Sequence, residues 1–169
     1  MKVFCFVRLV LCGVLCLVIY GCSSGENDES NNSSGEFIVA SVEALSFESS
    51  NVADGVTASK IESTDSTTYV VQGFDDAGNA IVLVIAGFDG VGTYNFTADN
   101  NDNDASGLFS SQSTTWSSFG GVDGFGTIDV LTDTETETTG AFEFVGVQAD
   151  MVSSVRVITN GRYSANYDK

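Results

Sequence analysis

In this chain of 169 residues, 23 acidic side chains face six basic ones, and there is neither histidine nor proline. Without histidine, Ser-His-Asp and Cys-His catalysis and His-ligated zinc, iron or copper are excluded. A formal charge of −17 repels nucleic acid and anionic lipid headgroups, so neither is an expected partner.

The chain starts with a basic stretch, Lys2 and Arg8, ahead of an apolar run from Leu9 to Tyr20. No acidic residue occurs before Glu26. This is the layout of a secretory signal. A membrane span needs about 20 continuous apolar residues. Here Arg8 interrupts the run, and no basic cluster follows Gly21 to stop transfer. The reading is therefore a cleaved signal over residues 1–21. Its end, Ile19-Tyr20-Gly21-Cys22, resembles the cleavage box of bacterial lipoproteins, with Tyr20 departing from the small residue usual there. The resemblance implies that Cys22 becomes the mature N-terminus and the lipid attachment site. Two or more acyl chains then anchor the protein to the membrane without a spanning segment.

Cysteine placement agrees with that division. Cys5, Cys12, Cys16 and Cys22 are the four cysteines, all in the leader or at the cut. The exported domain then has neither a disulfide nor a thiol catalyst, and must hold through its core alone. Residues 22–35 form an expected tether. After Cys22 it reads Ser-Ser-Gly-Glu-Asn-Asp-Glu-Ser-Asn-Asn-Ser-Ser-Gly, with nothing apolar to repay ordering. Its cluster Glu26, Asp28 and Glu29 is similar to the acidic export signals of some Bacteroidota surface lipoproteins; a solvated spacer is the equal alternative.

Residues 36–169 are expected to form one all-β domain. Short runs of Val, Ile, Thr, Phe and Tyr alternate with Gly-, Asp- and Asn-containing turns. Strands are predicted near 37–42, 45–49, 55–61, 67–73, 80–86, 92–97, 113–118, 126–132, 139–147, 151–158 and 161–167. Three hairpins are expected. One turns at Asp75 to Asn79, one at the Thr/Glu-rich stretch after Leu131, and one at Asn160-Gly161, a type I′ signal. Alternation places Ile128 with Val130, Phe142 with Phe144, and Tyr163 with Ala165 and Tyr167 on inward faces. Ile81 to Ile85 is apolar on both faces and reads as a central strand. The predicted fold is an antiparallel β-sandwich or small barrel.

Two segments echo each other: Phe88-Asp89-Gly90-Val91-Gly92-Thr93-Tyr94-Asn95-Phe96 and Val122-Asp123-Gly124-Phe125-Gly126-Thr127-Ile128-Asp129-Val130. Both place Asp-Gly turn chemistry before an alternating strand. These motifs, with Gly140-Ala141-Phe142-Glu143-Phe144 and Val157-Ile158-Thr159-Asn160-Gly161-Arg162-Tyr163, resemble a family of small Bacteroidota lipoproteins known as a domain of unknown function. The resemblance spans about residues 36 to 167. It implies fold and outer-membrane location, and brings no activity and no catalytic residues.

Few residues compete as sites. The run Asp99-Asn100-Asn101-Asp102-Asn103-Asp104-Ala105-Ser106-Gly107 is rich in calcium-type oxygens. It fails the EF-hand pattern, with Asp104 at the glycine position and Ser110 at the bidentate one, so a solvated loop is favoured. Asp89 and Asp123 are read as turn residues. Trp116 is read as a core or edge anchor in preference to a sugar-stacking platform. Asp65-Ser66-Thr67 resembles an exported-protein O-glycosylation triplet. The sequence assigns no catalytic residue, cofactor or metal. It points to a lipid-anchored, non-enzymatic envelope module whose partner is the membrane through Cys22, with a glycan or envelope protein as candidate ligand. The alternatives are a carbohydrate-binding module or carboxylate-dependent glycan hydrolase, and a calcium-stabilised adhesive domain.

Overall fold

The structure is a computed structural model that describes residues 35–49, 55–96, 105–118, 125–148 and 151–167, with backbone only at 151–153. Cys22, the leader, the tether up to residue 34, Asp99 to Asp104 and Asp123 lie outside the described residues. Among those described there are eleven strands and no helix. They are β1 (Phe37–Val42), β2 (Leu45–Glu48), β3 (Val56–Glu62), β4 (Thr67–Phe74), β5 (Ala80–Ala86), β6 (Gly92–Asn95), β7 (Ala105–Ser111), β8 (Thr114–Ser117), β9 (Gly126–Asp133), β10 (Glu137–Gln148) and β11 (Met151–Asn166).

The strands form one curled antiparallel sheet in the order β2-β1-β11-β10-β8-β7-β5-β4-β3, with β9 paired to β10 and β6 to β9. β10 shares one edge between two partners. Its residues Thr138 to Phe144 pair with β9, and Val147 and Gln148 pair with β8. The curl brings the far edge back toward β11. A parallel bridge joins Ala58 of β3 to Tyr167, just past the end of β11.

Alternation explains which faces turn inward. Ile81, Leu83 and Ile85 of β5 are fully buried, while Val82 and Val84 lie half-buried on the other face. β5 is thus an interior strand between β4 and β7, with only one face in the core. Ile128 and Val130, Phe142 and Phe144, and Tyr163 and Ala165 are all buried as their spacing predicts. The echoed segments turn out to be partners. β6 pairs with β9, with Tyr94 opposite Ile128, and Thr93 Oγ1 donates to Asp129 Oδ1 at 2.6 Å.

Two predictions need correction. The hairpin at Asn160-Gly161 does not form; β11 runs through it as a single strand paired along β10 from Glu137↔Asn166 to Gln148↔Met151. The turn chemistry serves a bulge instead. Between Phe142 and Phe144 on β10, two residues of β11, Thr159 and Asn160, stand against Glu143 alone. Asn160 takes φ 54, the left-handed conformation asparagine tolerates. The extra residue also restores parity. Ile158 and Tyr163 are an odd number of positions apart, yet both face the core, at 0% and 1% exposed. Gly161 is required by close approach, because a Cβ there would lie 2.5 Å from the Phe142 carbonyl oxygen.

The second correction is β7, which occupies residues expected to be loop. Ala105 to Ser111 is poor in β-branched residues and carries little strand signal. Tertiary pairing supplies the strand, through Ile81↔Phe109 and Leu83↔Gly107 on one side and Phe109↔Trp116 on the other. Gly107 admits the Phe144 ring, which would sit 2.6 Å from an added Cβ.

Candidate functional site

Two polar constellations stand out, one closing the sheet and one opening to solvent. In the first, the Tyr69 hydroxyl donates to the Tyr163 hydroxyl at 3.1 Å and shares a 2.8 Å bond with Thr138 Oγ1. Thr138 is fully buried, and the Thr132 carbonyl, 3.2 Å from its Oγ1, is the alternative acceptor for its single proton. Beside this trio, Lys60 Nζ pairs with Asp133 at 2.7 Å. Its ammonium lies over the Tyr167 ring, 4.4 Å from the centroid, and 5.4 Å from that of Phe88. The Tyr167 hydroxyl donates to Asp133 Oδ1 at 2.5 Å. Strands β3, β4, β9, β10 and β11 are thereby joined across the seam of the curl.

Burial dominates the proton affinities here, because a phenolate cannot be solvated in the core. Tyr69 is held far above the ordinary tyrosine range, by burial first and then by the neighbouring Tyr163. Tyr163 is pushed up to about 12 by burial. Tyr167 is raised too, by burial and by its bond to the Asp133 carboxylate. These phenols stay protonated at neutral pH. With their hydroxyls spent on one another, the constellation is a structural clasp.

The second constellation is a cleft of about 390 Å³ at the opposite kind of place, between turns. Three hairpins and one strand build it. The β1–β2 turn brings Glu43, and Leu45 and Phe47 follow on β2. The β4–β5 turn brings Asp75 and Asn79. Asp75 Oδ1 accepts from the amides of Ala77 and Asn79 at 2.9 and 2.8 Å, and its Oδ2 accepts from Asn79 Nδ2 at 2.7 Å. The β7–β8 hairpin brings Phe109, Ser111 and Trp116, and β11 brings Arg156.

The base of the cleft is an ordered stack. Trp116 is buried against Phe109, their centroids 5.7 Å apart. Its indole N–H donates to Ser154 Oγ at 2.9 Å. The Arg156 guanidinium lies 4.7 Å from the Trp116 centroid. Arg156 Nη1 donates to Glu43 Oε1 at 3.1 Å and to the Val155 carbonyl at 3.2 Å. Glu43 adopts φ 59, and its amide donates to the Val157 carbonyl at 2.8 Å. Gln112 adopts φ 55 at the same position of the two-residue β7–β8 turn. Non-glycine side chains reach this conformation at a cost of about 1–2 kcal/mol.

The structure sorts the sequence candidates. Trp116 is an anchor, as preferred, and offers no exposed platform. Asp89 is exposed, and its turn is tied by Tyr94, whose hydroxyl accepts from the Asp89 amide at 3.0 Å and donates to the Gly90 carbonyl at 2.8 Å. Ser66 is exposed in the β3–β4 turn, where Ser63 Oγ donates to its carbonyl at 2.8 Å. Of the oxygen-rich run, Ala105, Ser106 and Gly107 belong to β7. Among the described residues no group of three or more carboxylates or thiols is placed to hold a metal ion, and no helix is long and apolar enough to cross a membrane. Asp75 and Asn79 were legible only as turn residues, and Glu43 and Arg156 carried no sequence signal, because the convergence of the four depends on strand order.

Comparison with protein-family models, with curated proteins and with solved structures finds no match.

Proposed function

We propose that this chain is a non-catalytic binding module of the bacterial cell envelope, held on the outer membrane by a lipid at Cys22. The cleft carries the binding half of the reading. Its volume of about 390 Å³ falls in the range of small-ligand sites, and it combines apolar walls with a few convergent polar groups. Binding is favoured over glycan hydrolysis because hydrolysis needs two carboxylates available to the sugar. Asp75 spends both oxygens on its own turn, leaving Glu43 as the one carboxylate of this cleft with an oxygen to spare. The Ile19 to Cys22 box and the resemblance to small Bacteroidota lipoproteins support the anchor, with the fold as a stable cap on a tether over residues 22–35.

The anchor and the cleft are separately testable. Cys22→Ala should release the protein from the membrane fraction and abolish incorporation of labelled palmitate. Retention of the Cys22→Ala protein in membranes would refute the lipid anchor. Binding in the cleft is read by the emission of Trp116, the only tryptophan in the chain.

A further inference from the structure

Resting on the binding reading above, the ligand class follows from what the cleft leaves unsatisfied. Arg156 uses Nη1, and Glu43 uses Oε1. Among the described residues, Arg156 Nε and Nη2, Glu43 Oε2, Asn79 Oδ1 and the Ser111 hydroxyl make no hydrogen bond. Donors and acceptors are therefore interleaved around walls made by Phe47, Phe109 and Trp116. An apolar ligand would strand these groups without water, at a cost of about 1–3 kcal/mol each.

Charge removes a further class, since a net charge of −17 opposes the approach of an anion. A cation finds the Trp116 ring face already covered by the Arg156 guanidinium, so the cleft gives it no open aromatic face. What remains is a neutral molecule with several groups that both donate and accept, and with apolar C–H surface between them. One wall is β2, an edge strand of the sheet, so an extended peptide is the competing occupant and has its own arm in the test below.

A scarce residue is also spent here. Among the described residues the cations are Lys60, Arg156 and Arg162, and one of these three is committed to this cleft. Its partner Glu43 is the first residue of the two-residue β1–β2 turn, which requires its positive φ, and the turn holds its carboxylate beside the guanidinium. We propose that this cleft binds a neutral saccharide, with Arg156 and Glu43 bracketing adjacent hydroxyls of one sugar ring.

The test uses the full chain in detergent micelles, with Trp116 emission as the readout. The probes are neutral gluco-, manno-, xylo-, galacto- and N-acetylglucosamine oligosaccharides, with oligogalacturonate and a neutral hexapeptide library as separate arms. At least one neutral oligosaccharide should shift the emission with Kd below about 1 mM, with little change on raising salt. Arg156→Ala should weaken that binding by about tenfold or more, and Arg156→Lys, which lacks the planar fork, should not restore it. Arg162→Ala, away from the cleft, should bind as the parent does. Should Arg156→Ala fail to fold, Ser111→Ala carries the same test with a loss of about threefold or more. No response to any neutral saccharide overturns the assignment. So does a response to oligogalacturonate alone, with steep salt dependence. A response to peptides alone also overturns it, while leaving the cleft as a binding site. The Cys22→Ala fractionation stands independently of all these outcomes.

Discussion

Removing one oxygen from Tyr69 tests whether the clasp at the seam holds the curl. In Tyr69→Phe the ring keeps its packing, including its stacking on Phe88 at 4.6 Å, and only the hydroxyl is lost. Two buried hydrogen bonds go with it, at 2.8 Å to Thr138 and 3.1 Å to Tyr163. Each is worth about 0.5–1.5 kcal/mol net, so the expected loss is about 2 kcal/mol. Released from Tyr69, the Thr138 hydroxyl turns its proton to the Thr132 carbonyl 3.2 Å away, which holds the loss below that of a fully stranded buried group. For a domain of this size, about 2 kcal/mol lowers Tm by roughly 6–10 °C. Urea unfolding followed by Trp116 emission gives the free energy, and circular dichroism gives Tm. Thr138→Val, alone and combined with Tyr69→Phe, completes a double-mutant cycle with an expected coupling of about 1 kcal/mol. Two single variants within about 0.5 kcal/mol of the parent, with additive effects, would refute the view that these hydroxyls act as one buried network.

The same phenols predict alkaline unfolding. Tyr163 titrates near 12 folded against 10 unfolded, so its stabilisation is complete below pH 10 and is lost as pH rises from 10 through 12. The loss is about 1.4 kcal/mol per pH unit, with Tyr69 adding in the same direction; urea midpoints unchanged between pH 9 and 11.5 would contradict this. Lys60→Met removes a partly exposed ion pair and two ring contacts, and should cost about 1–2 kcal/mol by chemical denaturation. Gly161→Ala forces a Cβ onto the Phe142 carbonyl and ring and should cost about 1–3 kcal/mol, whereas Asn160→Gly, which relieves the positive φ, should stay within about 1 kcal/mol of the parent. Millimolar calcium should leave Tm unchanged; a clear rise would favour the calcium-stabilised adhesive reading, since a ligand bound to the native state must raise apparent stability.

Much of the fold could be read from period-two alternation, because one face of each strand is in water and the other in the core. Ile128 with Val130 and Phe142 with Phe144 are the clearest cases. The misreadings have physical causes. Asn160-Gly161 carries the same left-handed preference whether the chain reverses or bulges, and only the partner strand decides. β10 continues past the bulge to Gln148, so β11 continues with it. β7 was illegible for the opposite reason: Ala105, Ser106 and Gly107 have weak strand preference, and pairing with β5 imposes the conformation. The cleft was hidden because its residues are scattered from Glu43 to Arg156, and no local pattern foretells that β2, β8 and β11 end near one another. Trp116 was legible as an anchor only because a lone tryptophan among hydroxyl residues seldom lies idle.

The scarce cations connect the seam and the cleft. In a chain so acidic, a basic residue lowers the self-repulsion of the folded state wherever it sits, so position has to be explained by local contacts. Lys60 and Arg156 are used alike: each is paired with one carboxylate and laid over an aromatic ring. Their surroundings differ. Asp133 beside Lys60 is 14% exposed and takes a second bond from Tyr167, so its carboxylate is held within the seam. Glu43 beside Arg156 is 50% exposed and faces a cavity. An exposed pair contributes about 0–1 kcal/mol, and the Arg156 guanidinium gains about as much again over the Trp116 ring. What separates Arg156 from Lys60 is therefore position and not strength: its open carboxylate partner faces the cleft, within reach of a ligand that enters it.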